Sequence, residues 1–68
     1  MNGKITTNER QVLSLLSASS LTGLAELASA LGRSPEGISR TTASLVRKGL
    51  AVRGKLPGGK AGYRLINR

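Results

Sequence analysis

Cysteine, histidine, aspartate, phenylalanine and tryptophan are all absent from this 68-residue chain, and the sole aromatic is Tyr63. Without cysteine there is no disulfide scaffold, no thiolate metal site and no iron–sulfur cluster. Small secreted domains usually need such staples, so a cysteine-free chain of this size fits the cytoplasm. Without histidine, a hydrolytic triad lacks its base. The only acids are Glu9, Glu26 and Glu36, and three separated carboxylates make a poor metal site. Neither an enzyme nor a bound cofactor or metal is expected. No uninterrupted apolar run approaches the roughly 18 residues of a membrane span. The start, Met1-Asn2-Gly3-Lys4-Ile5-Thr6, lacks the apolar stretch of an export signal.

What remains is an aliphatic, basic chain. Residues 1–68 read as a single domain, which at this length buries only about 60% of the surface its unfolded form exposes. Hydrophobic residues make up 38% of it, mostly leucine and alanine, so any core is aliphatic. The net charge is +8. In residues 1–32, Lys4 and Arg10 are cancelled by Glu9 and Glu26, so the whole net charge lies in residues 33–68. That asymmetry points to a polyanionic partner.

Local patterns give three helices and a hairpin. Thr6 stands three residues before Glu9, a capping-box spacing, and Val12, Leu13, Leu15 and Leu16 form an apolar stripe. The spacing predicts a first helix over about 7–17, ended by Ser17, Ser19 and Ser20. Leu21 precedes Thr22 as a brief extended piece. Either Thr22 or Gly23 caps a second helix, with Leu24, Leu27, Ala28 and Leu31 facing in. With Gly23 as the cap, Glu26 is placed to reach back to it. Gly32 ends this helix with a left-handed turn.

Ser34-Pro35 is the sharpest local signal, a cap followed by a proline where no hydrogen bond is lost. It opens a third helix over 35–48, with Ile38, Thr42, Leu45 and Val46 inward, Lys48 in the last turn and Gly49 ending it. Leu50-Ala51-Val52-Arg53 alternates as a strand does, 54–62 reads as a glycine-rich loop, and Tyr63-Arg64-Leu65 reads as the return strand.

Only Gly32-Arg33-Ser34 separates the second and third helices, a helix-turn-helix connection. Over Leu21-Thr22, Glu26-Leu27-Ala28, Leu31-Gly32-Arg33-Ser34-Pro35, Ile38-Ser39-Arg40 and Leu45-Val46-Arg47-Lys48-Gly49-Leu50, the chain resembles the winged helix-turn-helix DNA-binding domains of bacterial transcriptional regulators. The tail Gly58-Gly59-Lys60-Ala61-Gly62-Tyr63-Arg64-Leu65 is similar to the wing of the Rrf2-type regulators, among others. The resemblance covers about residues 6–66 and suits a small phage, plasmid or fimbrial-operon regulator. It implies a mainly α fold, three helices plus a two- to three-stranded wing. Two positions depart from the pattern. Thr42 stands where the family often has leucine, which predicts looser packing under the third helix. Gly37 stands where a polar side chain is usual, either to let the helix approach DNA closely or as a tolerated surface glycine.

If Ile38, Thr42 and Leu45 face in, then Glu36, Gly37, Arg40, Ala43, Ser44 and Arg47 face out or sideways, with Ser39 beside Ala43 at the rim. A helix so decorated, residues 34–48 with Ser34 at its cap, fits the major groove. Arg40 is the candidate base reader, since its fork matches guanine O6 and N7, with a phosphate clamp as the alternative. Ser39 and Ser44 suit bases or phosphates equally, and Thr41 suits backbone contact or the helix flank. Glu36 either accepts from cytosine or stabilises the helix start. The family's docking implies a phosphate near Thr22, and Arg33 in the turn is placed to clamp the backbone. Arg53, Lys55, Lys60 and Arg64 decorate a wing, 53–64, that would lie on the backbone or enter the minor groove. Tyr63 packs against Leu50 or Val52 rather than stacking on a base.

The expected function is sequence-specific binding of double-stranded DNA in transcription regulation, in the cytoplasm at the nucleoid. The alternatives are plasmid segregation, replication or recombination, or a winged-helix module for protein contacts. The expected partner is duplex DNA rather than a membrane. The chain is expected to be a monomer when free, with homodimeric or cooperative pairing on DNA at a palindromic site.

Overall fold

The computed structural model describes residues 5–66, so most of the short start expected over 1–5, and the charges of Lys4 and Arg68, lie outside the described residues. Helix α1 (Thr7–Leu15) is followed by strand β1 (Thr22–Gly23), helix α2 (Leu24–Leu31), helix α3 (Pro35–Arg47), strand β2 (Ala51–Lys55) and strand β3 (Ala61–Leu65). The strands form one antiparallel sheet in the order β1-β3-β2. Three helices with a hairpin wing, joined to a third short strand, are the expected winged helix-turn-helix arrangement.

The helix boundaries follow from their caps. The Thr6 hydroxyl accepts the Glu9 N–H at 3.1 Å while the Glu9 carboxylate accepts the Thr6 N–H at 2.9 Å, which completes the capping box of α1. Gly23 caps α2, and its N–H reaches Glu26 Oε1 at 3.4 Å. Ser34 Oγ accepts the Gly37 N–H at 3.2 Å, with Pro35 opening α3. Gly32 (φ 64°) and Gly49 (φ 77°) take the left-handed conformation that ends α2 and α3, which a Cβ would disfavour.

Two stripe positions differ from expectation. Helix α1 ends at Leu15, and Leu16 turns into an extended conformation that puts it in the core, while Leu15 is 40% exposed. Val46 is 37% exposed because Ile38, Thr42 and Leu45 already fill the inner face of α3, leaving Val46 a turn-fraction to the side. The core joins Val12, Leu16, Leu27, Ile38 and Leu45 from the helical layer to Ala51 and Tyr63 from the sheet. Thr42 is fully buried, and its hydroxyl donates to the Ile38 and Ser39 carbonyls at 3.0 Å each. Its polar atom is thereby satisfied inside its own helix, with no cavity partner needed.

The glycine-rich stretch read as a loop is sheet at both of its ends. Gly54 and Gly62 lie in β2 and β3, directly opposite each other, and Gly62 also faces Gly23 of β1. This row of three glycines lets Leu21 and Leu56 lie flat on the sheet. A Cβ on Gly54 would come within 2.9 Å of Leu21 Cδ1, and one on Gly23 within 2.9 Å of Leu56 Cδ1. The true tip is 56–60, closed by Leu56 N–H to the Lys60 carbonyl at 2.7 Å and Gly59 N–H to the Leu56 carbonyl at 2.9 Å.

Candidate nucleic-acid interface

The three-residue turn holds α3 across α2, and the wing lies alongside it. Between them runs an open groove of about 440 Å³. Ser39, Ala43, Val46 and Arg47 of α3 form one wall, Arg53, Ala61 and Tyr63 of the hairpin the other, and Leu24 also lines it. Strand alternation explains the sheet's contribution. Arg53 sits directly opposite Tyr63, and Lys55 opposite Ala61, so all four share the face turned to α3. Tyr63 is buried, as a packing residue should be, on the face shared with Ala51 rather than with Val52.

No acidic residue lines the groove. The side chains of Arg40, Arg47, Arg53, Lys55 and Lys60 are exposed and have no hydrogen-bond or ion-pair partner among the described residues. Such side chains are open to an incoming anion. Ser34, Glu36, Gly37 and Ser39 are exposed along the first turns of α3. A Cβ on Gly37 would meet only Ser34 Oγ, at 3.4 Å, so this glycine leaves the helix start bare rather than relieving a clash.

Four of the expected contact residues are also engaged within the protein. Ser44 does not face outward: it is half-buried and its hydroxyl donates to Glu9 Oε2 at 2.5 Å, toward α1. Arg64, opposite Val52, lies on the other face of the sheet from Arg53, half-buried, with Nη1 donating to the Leu65 carbonyl at 3.3 Å. The hairpin's cations are therefore split between faces. Arg33 is half-buried and its Nη2 donates to Gln11 Oε1 at 2.7 Å, tying the turn to α1. Thr22 is half-buried and paired with Tyr63 in the sheet. Thr41, on the helix flank, donates to the Gly37 carbonyl at 3.1 Å.

Sequence reasoning missed the polar tie that holds α3 in place. Lys48 Nζ reaches Glu9 Oε1 at 2.7 Å and Oε2 at 3.0 Å, beside Ser44. Hydrogen bonds from Lys48, Ser44 and the Thr6 N–H, in that order, outweigh burial and hold the Glu9 carboxyl down at about 2. The capping box marked Glu9 as a local residue, and no short-range signal links it to positions 35 and 39 residues away.

No group of three or more metal-ligating side chains occurs among the described residues. No helix among them is long and apolar enough to cross a membrane.

No family model and no curated protein sequence matches the chain. Solved structures do. A mutant of Lactococcus lactis ZitR superposes with a TM-score of 0.83 at 20% identity, covering 98% of this chain and 47% of that one. The Vibrio cholerae ferric uptake regulator Fur, described as having DNA-binding domains that rearrange, superposes with a TM-score of 0.72 at 21% identity, covering 96% and 55%. The chain thus spans about half the length of the structures it matches. At this identity the likeness establishes the fold, and the fold is a winged helix.

Proposed function

We propose that this chain is a sequence-specific double-stranded DNA-binding module of a transcriptional regulator. Helix α3 enters the major groove and the wing rests on the backbone or in the minor groove. The observation that carries the reading is the set of unpaired cationic side chains on α3 and the wing, Arg40, Arg47, Arg53, Lys55 and Lys60, of which Arg47 and Arg53 line a groove without acids. A duplex presents phosphates on both sides of the major groove, which such an arrangement can straddle. Arg40 on the first turns of α3 reads a base, Ser39 contacts a base or phosphate, and Arg47, Arg53, Lys55 and Lys60 neutralise phosphates. Ser34 and Gly37 let the helix start approach the duplex closely, and Glu36 stabilises that start. Arg33 and Arg64, each already bonded within the protein, have secondary roles at most, as does Thr22.

Three further points support the reading. The tail's similarity to the wing of Rrf2-type regulators favours contact between the Lys60 tip and DNA. The DNA-binding domains of Fur share the fold. The charge asymmetry leaves the half that carries α3 and the wing strongly positive. The site of action is the cytoplasm, and the free chain is a monomer that pairs on palindromic DNA.

The test is a titration against random duplex, single-stranded DNA and RNA of equal length over a salt series. Neutralising about four phosphates gives a slope near −0.9 × 4 in log K against log salt, about a 150-fold loss from 50 to 200 mM. A slope near zero, or tighter binding to RNA than to duplex, overturns the reading.

A further inference from the structure

The cationic rim of the groove encloses an apolar strip. Ala43 and Val46 are three residues apart on α3, so their side chains are neighbours, and both line the groove between Ser39 and Arg47. Val46 is one of only three large hydrophobics exposed among the described residues, at 37%. Unlike Leu15 on α1, it lies among unpaired arginines rather than on a plain surface. An occupant of this strip must present an alkyl group flanked by negative charge. In the major groove the edge of one base offers that: thymine, whose C5-methyl group lies between the two phosphate backbones.

We propose that Ala43 and Val46 form a receptor for a thymine methyl group, which makes this strip a second determinant of sequence preference beside Arg40. The assignment rests on the duplex-DNA reading above. Arg47 and Arg53 hold the backbone at the groove's rim, and the two alkyl side chains exclude water from the methyl. Cytosine at the same place would bring only a C–H and leave the strip wet.

The preferred duplex is first selected from a random pool. Each thymine is then replaced singly by deoxyuridine, which removes the methyl and keeps the pairing. Affinity is measured for the unchanged protein, Ala43→Ser, Val46→Thr and, as a control outside the groove, Ala30→Ser. Val46→Thr exchanges one methyl for a hydroxyl at almost the same size, and Ala43→Ser adds a single hydroxyl, both at exposed positions. With the unchanged protein, at least one deoxyuridine should weaken binding about four-fold, the factor for one buried methyl-sized group. With Ala43→Ser or Val46→Thr that penalty should fall below about two-fold, because the methyl no longer meets an alkyl surface. With Ala30→Ser it should persist. A selected site at which no deoxyuridine matters, or a penalty unchanged in both groove variants, overturns the methyl receptor and leaves the DNA reading standing. Failure to bind duplex at all overturns both.

Discussion

Replacing Glu9 with glutamine tests whether the tie between α1 and α3 is electrostatic. Glu9 is 3% exposed, and its carboxylate accepts from Lys48, Ser44 and the Thr6 N–H. Glutamine preserves the capping-box acceptor and almost the same volume, so the change removes mainly the charge. The carboxyl is held down from an ordinary 4.5 to about 2, with hydrogen bonds from Lys48 the largest cause. A depression of that size corresponds to about 3 kcal/mol of folding free energy. Breaking a buried pair can cost more, but the Lys48 side chain is 24% exposed and can turn to water. The expected loss at pH 7 is therefore about 2–3 kcal/mol, or roughly 10–20 °C in Tm for a domain of this length. The sign of the pH dependence follows from the direction of the depression. Folding favours the ionised carboxylate, so its contribution is complete above about pH 4.5 and lost as pH falls through about 2. Urea melts of the unchanged protein and Glu9→Gln should differ at pH 7 and converge near pH 2. A gap of equal size at both pH values, or below about 0.5 kcal/mol at pH 7, would refute the electrostatic account and leave Glu9 a packing residue.

Other substitutions separate the fold from the interface. A Cβ on Gly62 would sit 3.0 Å from Leu56 Cγ and 3.1 Å from Leu21 Cβ, atoms near the backbone. Gly62→Ala should cost about 1–3 kcal/mol in chemical denaturation. Gly54→Ala meets only Leu21's branched end and should cost less; the opposite order would show that the leucines do not rest on the glycine row. Arg40→Ala should weaken the preferred duplex by about 1–3 kcal/mol and relax one base pair of the selected site. Equal losses on preferred and random DNA would make Arg40 a phosphate contact. The double variant Lys55→Ala, Lys60→Ala removes two exposed cations and no apolar burial, so stability should change by less than about 0.5 kcal/mol. Its salt slope should shrink by up to about 1.8, and an unchanged slope would mean that the wing tip does not meet the DNA.

The local punctuation of this chain was legible without a structure because each cap is closed by groups within a few residues of one another. Thr6 with Glu9, Ser34 with Pro35, and the left-handed Gly32 and Gly49 set the helices almost where they stand. The basic second half was equally plain, since charge needs no fold to be counted. Periodicity failed where two faces compete. Val46 continued the stripe of α3, but the inner face was already filled, and the residue fell into the groove. Leu16 was reached only by ending α1 early.

Tertiary structure alone decided which polar groups are spent on the fold and which remain free. Ser44 looked outward by spacing, and Lys48 read only as a last-turn cation, until α1 brought Glu9 against them. Arg53 and Arg64 looked equivalent until the register placed them on opposite faces of the sheet. Gly54 and Gly62 looked like slack chain until Gly23 of β1 completed their row beneath Leu21 and Leu56. Each of these outcomes depends on residues distant in sequence that meet only when the apolar core closes. Hydrogen bonds within a turn are local, whereas burial, register and long-range ion pairing are consequences of that closure.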